Sequence, residues 1–352
     1  MFMPASAHDF AAIWRQYQTI KTQEPAKYAR DIASEMAISE AELTHSRVGH
    51  DAVRLTGDVR DILAALEPVG EIKSICRNDY AVHEQLGEFT HQHISEHAGL
   101  VLNPRALDLR LFLGEWASVF HLCEQSPRGE RQSIQFFDRQ GDALLKVYTT
   151  ARTDMAAWDA VITRFRATSA QPLTIVAAKA TQYAHSADAT ALDQAWRAMT
   201  DVHQFFGLLK KYNLSRQQAF RLVGDDLACQ VSNDALPTLL ESVLQDGNEI
   251  MIFVGNRGCV QIFTGVLEKL TPMKGWINIF NETFTLHLRD AGIAECWVTR
   301  KPTDGGHVTS LELFADDGVQ IAQLYGQRSE GQPEQAQWRA QIDALIGKGK
   351  AA

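Results

Sequence analysis

The sequence predicts an α+β fold with antiparallel sheets, built twice in tandem. Three observations predict it. The chain matches itself at a nearly constant offset. Each copy opens on helical signals and closes on runs of period-two alternation. Neither a GxGxxG nor a GxxxxGK[ST] sequence occurs, so a nucleotide-binding α/β fold has no support.

The self-match is clearest late in each copy. At an offset of 177, SIQFFDRQGDALLKVY (133–148) runs over SLELFADDGVQIAQLY (310–325). Ser133 then meets Ser310, Phe137 meets Phe314, Gly141 meets Gly318 and Tyr148 meets Tyr325. The same offset lays LDLRLF (107–112) on FTLHLR (284–289) and Ala117 on Ala294. Further upstream the offset is 178, where Asn78 meets Asn256, Val82 meets Val260 and Gly87 meets Gly265. These matches divide the chain into a first repeat, 1–166, a linker, 167–190, and a second repeat, 191–347.

Helices come first in each copy. Ser39–Glu42 and Ser215–Gln218 both fit the capping box, in which a serine hydroxyl and a Glu or Gln three residues on exchange hydrogen bonds with the helix start. Apolar residues recur at helical spacing across 191–212, which predicts one helix there. Strands follow. EIMIFVGNRGCVQIF (249–263) is two apolar runs about a Gly-Asn-Arg-Gly turn and predicts a hairpin. In LDLRLF, Leu107, Leu109 and Leu111 share one face, and Asp108, Arg110 and Phe112 share the other. Phe284, Leu286 and Leu288 likewise stand opposite Thr285, His287 and Arg289, and Gln323 and Tyr325 fall together. The polar set is either a solvated sheet face or the wall of a ligand pocket.

Composition narrows the function. The 352 residues carry 34 Lys and Arg against 43 Asp and Glu, a net charge of −9, which disfavours nucleic-acid binding. No apolar run approaches the roughly 18 residues of a membrane span, and the N-terminus lacks the pattern of a secretory signal. Five dispersed cysteines, with no CxxC, read as reduced core thiols of a cytoplasmic protein. His93-Ile94-Ser95-Glu96-His97 matches the HxxEH zinc-peptidase pattern, but it is short, polar and flanked by glycine, so zinc is not expected.

One residue stands out. Trp196, Met199, His203 and Phe206 follow steps of three, four and three, which places a histidine in an aromatic, Met-rich stripe. Such a histidine is either a core residue bonded to backbone or a metal or haem ligand, since neutral imidazole binds iron and an apolar wall suits a porphyrin face.

RNDYAVHEQLGEF, NPRALDLRLF, MTDVHQFFGLLKKYNLSRQQAF, GNRGCVQIFTG, PMKGWINIFN, WVTRKPT and IAQLYGQR together resemble the bacterial haemin-degrading and haemin-transport family of HemS, ChuS and HmuS type. The similarity runs over nearly the whole chain. It implies a tandem repeat whose two large antiparallel sheets stack centrally with helices on the flanks. It implies a cytoplasmic protein of a haem-uptake system that binds one haem on its C-terminal side. On that resemblance His203, in DVHxF, is the proximal iron ligand, and Arg110, in DLRxF, is the distal residue, with Phe112 beside it. Arg216, Lys301 and Tyr325 correspond to the propionate-binding groups, and Phe253, Gln323 and Arg328 to further pocket positions. His83, in YAVHEQ, also falls in a family motif, as a second haem contact or a structural histidine.

The chemistry of that set is coherent. Haem is apolar in the middle and dianionic at one edge. Arg110 cannot deprotonate and so donates hydrogen bonds on the distal side at any pH. Arg216, the first helical residue after Ser215, offers a propionate both a cation and a helix start. Two classes of function stay open. The protein degrades haem, opening the macrocycle and freeing iron with electrons from NAD(P)H, a reductase partner or a chemical reductant. Alternatively, it carries intact haem to a separate haem oxygenase. A membrane haem importer is a further expected partner. Oligomeric state is left open.

Overall fold

A computed structural model describes residues 9–126, 129–329 and 331–349. The first repeat contributes α1 (Phe10–Gln23), α2 (Ala29–Glu35), α3 (Glu40–Ser46), β1 (Ala52–Leu55) and α4 (Val59–Ala65). Strands follow: β2 (Gly70–Arg77), β3 (Ala81–Gly87), β4 (Gln92–Ile94), β5 (Ala98–Leu102) and β6 (Asp108–Phe112). Three long ones complete it, β7 (Trp116–Ser126), β8 (Gly129–Asp138) and β9 (Ala143–Thr153), before α5 (Met155–Phe165). The second repeat opens with α6 (Ala189–Arg197), α7 (Gln204–Tyr212), α8 (Arg216–Leu222), β10 (Ala228–Val231) and α9 (Ala235–Asp246). It continues through β11 (Ile250–Gly255), β12 (Cys259–Gly265), β13 (Ile277–Phe280) and β14 (Phe284–Leu288). It ends in β15 (Glu295–Thr303), β16 (Gly306–Phe314), β17 (Gln320–Gly326) and α10 (Ala336–Gly349).

Local chemistry starts the helices where the sequence says. Both capping boxes are formed: Ser39 caps α3 with Glu42 reaching back, and Ser215 caps α8 with Gln218 reaching back. The predicted hairpin is β11–β12, closed with Gly255 opposite Val260. Gly258 in its turn lets two chains approach closely. A Cβ there would stand 2.5 Å from a Leu144 methyl, and its carbonyl accepts from the Trp116 indole and the Phe112 amide, each at 2.9 Å.

The strands form two antiparallel sheets. One runs β1-β7-β8-β9-β2-β3-β14-β13, the other β10-β15-β16-β17-β11-β12-β6-β5-β4. The order is not one sheet per repeat. Strands β4–β6 of the first repeat complete the second sheet, and β13–β14 of the second complete the first. The register is Arg110 opposite Val260 on one side and His287 opposite Val82 on the other, positions that the internal match makes equivalent.

The two sheets stack. Leu107, Leu109, Leu111 and Cys259 pack with Ile72, Phe136, Leu145 and Val147 of the other sheet. Ile252, Val254, Leu286 and Leu288 form the matching layer of the second core. Asn78 and Asn256 repeat one device on the two sides: the Asn78 amide binds the carbonyls of Gly255 and Ile321, and the Asn256 amide those of Arg77 and Leu144. Burial of these two apolar cores favours joining the halves, with a buried polar set, Ser74, His83 and Gln261, between the sheets.

His83 lies in that interface. It is fully buried, its Nδ1 accepts from Gln261 Nε2 at 2.7 Å, and its ring meets Phe284 at 4.7 Å. It is a core histidine, shut off from any ligand. Of the five cysteines, Cys76, Cys259 and Cys296 are buried and all five are free thiols. Among the described residues no helix is long and apolar enough to cross a membrane.

Candidate functional site

The helix expected over 191–212 is two helices. Regular structure stops after Arg197 and resumes at Gln204. The break has a local cause: side chains capture the backbone amides that a helix would use. Thr200 N–H donates to Gln204 Oε1 at 2.9 Å, and His203 N–H donates to Asp201 Oδ1 at 2.7 Å. The turn is tied down by Asp304 N–H donating to the Thr200 carbonyl at 3.1 Å. The expected stripe therefore splits. Trp196 and Met199 are core, while Phe206 is 63% exposed and the His203 side chain 86% exposed.

His203 and Phe206 face a cleft of about 1260 Å³. All the pocket residues that the resemblance implies line it, Arg110, Phe112, His203, Arg216, Phe253, Lys301, Gln323, Tyr325 and Arg328, whereas His83 does not. The strand exchange explains how Arg110 of the first repeat gets there. β6 pairs with β12, next to β11 and β17, so Arg110 shares a sheet with Phe253, Gln323 and Tyr325. Its leucine neighbours point into the core, as alternation predicts, and its guanidinium pairs with the buried Asp108 carboxylate. Burial raises the Asp108 carboxyl above its ordinary value, and the attraction of Arg110 offsets only part of that.

The floor is set by the second sheet. Phe253 lies opposite Gln323 and Met251 opposite Tyr325. Tyr325 donates to Gln323 Oε1 at 3.1 Å, and its ring stands edge-on to Phe253 at 5.1 Å. Burial, and then the Glu312 carboxylate, push the Tyr325 hydroxyl above its ordinary value, so it stays protonated and able to donate.

Two of the lining cations, Lys301 and Arg216, meet on Glu312. Lys301 is nearly inaccessible and spends two donors inside the protein, on Thr299 Oγ1 and Glu312 Oε1, each at 2.7 Å. Arg216 donates to the other oxygen of Glu312 at 3.2 Å and packs against the rings of Phe205 and Phe206, 5.1 and 5.3 Å from their centroids. α8 has only seven residues, and its Gln218 N–H is taken by the Ser215 cap, so Arg216 attracts anions through its guanidinium rather than through a helix dipole.

Glu312 was not visible as a site residue. Burial opposes its charge, but Arg216 and Lys301 outweigh that and hold its pKa down at about 2. A glutamate alternating with Ser310 and Phe314 on a strand reads as a solvated face. The only signal was that Leu311 and Leu313 already filled the core side. Asp201 was also missed. Its Oδ1 lies 2.7 Å from His203 Nδ1, and its bonds to His203, first the backbone N–H and then the ring, hold its carboxyl below the ordinary value.

The arrangement suits a flat ligand that is apolar in the middle and anionic at its edge. Apolar side chains from three elements, Phe112, Phe206 and Phe253, line a space that also presents the His203 imidazole, the Arg110 guanidinium and the Arg216 and Lys301 cations. The HxxEH segment is not part of it. Gln92–Ile94 is strand β4 and the residues after it turn, so His93 and His97 do not fall one helical turn apart.

Comparison with known proteins shows the family. The haemin-degrading HemS.ChuX domain matches residues 37–165 and again 213–345. The hemin transport protein HmuS of Yersinia pestis is 62% identical over 347 residues, spanning 97% of this chain and 99% of its own. The solved structure of the heme-degrading enzyme ChuS of Escherichia coli O157:H7 superposes with a TM-score of 0.92 at 67% identity, covering 96% of this chain and 99% of that one. Holo-PhuS, a heme-binding protein from Pseudomonas aeruginosa, superposes with a TM-score of 0.89 at 41% identity, covering 96% and 99%.

Proposed function

Because the chain belongs to the haemin-degrading HemS.ChuX family, a family of haemin transport and utilisation proteins, we propose that it binds one haem in this cleft and opens the macrocycle. The observation that carries the reading is the convergence of His203 and Arg110, from different repeats, on one largely apolar cleft that Arg216 and Lys301 also line. His203 supplies the axial nitrogen. Its Nδ1 is engaged by Asp201, and no residue among those described bonds to Nε2. Arg216, Arg328 and the Tyr325 hydroxyl take the propionates. Lys301 acts behind them, through Glu312 and Arg216, because its ammonium is already enclosed by protein acceptors.

Bound haem supplies the redox chemistry of its own degradation, and the protein supplies orientation and electrostatics. Arg110 donates hydrogen bonds on the face opposite His203. Electrons come from outside, from NAD(P)H, a reductase or a chemical reductant. The five free thiols suit a reducing compartment, which supports a cytoplasmic place.

A carrier role is the second reading. It is favoured by the 62% identity to HmuS, which is described as a hemin transport protein. Spectral titration of the haem complex with NAD(P)H, with and without oxygen and with catalase present, tests the two. Loss of the Soret band with stoichiometric iron release and one defined tetrapyrrole is the expected result. A stable Soret band followed by rapid transfer to an apo haem oxygenase would replace degradation by carriage.

A further inference from the structure

His203 stands on a fixed mount. Met199 is buried in the core, the Thr200 carbonyl is held by Asp304, and Gln204 closes the turn with hydrogen bonds to Thr200 N and Oγ1 at 2.9 and 3.2 Å. What remains free is rotation of the imidazole itself. One atom stops it. Asp201 Oδ1 accepts from the His203 backbone N–H and lies 2.7 Å from ring Nδ1, also at hydrogen-bond distance.

We propose that Asp201 is a positioning residue that sets the tautomer of His203 and loads negative charge onto the ring that meets the substrate iron. The inference rests on the reading of His203 as the axial ligand. An ionised carboxylate only accepts, so Nδ1 carries the hydrogen and the lone pair is left on Nε2. A carboxylate on the far side of an imidazole makes the coordinating nitrogen more basic. A more basic donor favours the ferric over the ferrous state, one of the protein's few levers on haem. Asp201 therefore lowers the reduction potential of the bound substrate.

The test uses the full chain. Asp201→Asn keeps an oxygen acceptor at the same place and removes the charge, whereas Asp201→Ala removes both. Both side chains are exposed, so the core does not depend on them, and Asp201→Asn keeps an acceptor for the His203 backbone N–H that Asp201→Ala loses. The haemin complexes are read by affinity, by midpoint potential and by the Fe–His stretching frequency of the ferrous form. Asp201→Asn is expected to keep a histidine-ligated spectrum with a higher midpoint potential and a lower stretching frequency. Asp201→Ala is expected to show the same shifts and to bind about 10- to 100-fold more weakly. An Asn variant with wild-type potential and wild-type stretch overturns the proposal, whatever its affinity. His203→Ala separates the failures. If it retains the histidine-ligated spectrum, the axial-ligand reading and this inference fall together. If it loses that spectrum while the Asp201 variants stay at wild type, only this inference falls.

Discussion

Lys301 Nζ lies 2.7 Å from Glu312 Oε1, and neither side chain is more than 3% exposed. Buried charges of this kind are costly to separate, because the survivor keeps its desolvation penalty without its partner. Glu312→Gln is expected to cost roughly 3–5 kcal/mol in urea unfolding. The double variant Lys301→Met, Glu312→Gln should recover the part of that loss that comes from Lys301, while Arg216 stays without its carboxylate. Equal losses in both variants would mean that the pair is not the source. The carboxyl is held down at about 2, so its contribution is complete above its ordinary value and fades as pH falls towards 2.

His203→Ala should abolish the histidine-ligated haem spectrum and weaken binding, while the unfolding midpoint of the free protein stays unchanged. The side chain is exposed and buries nothing, so a large loss of stability would point to a structural role instead.

Arg110→Ala should leave haem affinity close to wild type and slow reductant-driven degradation by about 10²- to 10³-fold, the cost of removing one preorganised donor. Arg110→Lys should not rescue it, because an ammonium does not reproduce the guanidinium fork. Undiminished degradation by both variants would remove Arg110 from the chemistry.

His83 makes the protein acid-sensitive. Burial lowers its pKa to about 3, so it stays neutral in the folded chain while the unfolded chain takes up a proton below about 6.5. Stability is therefore lost as pH falls from about 6.5 towards 3, by up to about 1.4 kcal/mol per pH unit from this residue alone. His83→Asn should flatten the slope of unfolding free energy against pH between about 6.5 and 5. An unchanged slope would assign the acid sensitivity to other groups.

Much of the fold was legible. The offset match pairs Ser133 with Ser310 and Tyr148 with Tyr325, and both pairs sit at equivalent strand positions, Ser133 beside Tyr148 and Ser310 beside Tyr325. The two serine caps and the β11–β12 turn formed as local chemistry dictates. The exchange of β4–β6 for β13–β14 was not legible, because a self-match is equally good whether strands stay with their own repeat or cross. The break before α7 was hidden by the same kind of degeneracy. The spacing of Trp196, Met199, His203 and Phe206 is preserved across a missing turn, so periodicity alone reported one helix. Asp201 acts through hydrogen bonds to the next residue but one, which no apolar pattern records.

The crossing strands also set a timetable. Strand β3 borrows its neighbour β14, which ends about 200 residues further along the chain. At a synthesis rate of about 5–20 residues per second, β3 emerges roughly 10–40 seconds before its partner. Through that interval its unpaired N–H and C=O groups are open to any other strand, a second nascent copy included. Fast translation through β4–β12, or a chaperone that shields β3, should therefore raise the yield of native protein more than any change in the finished core.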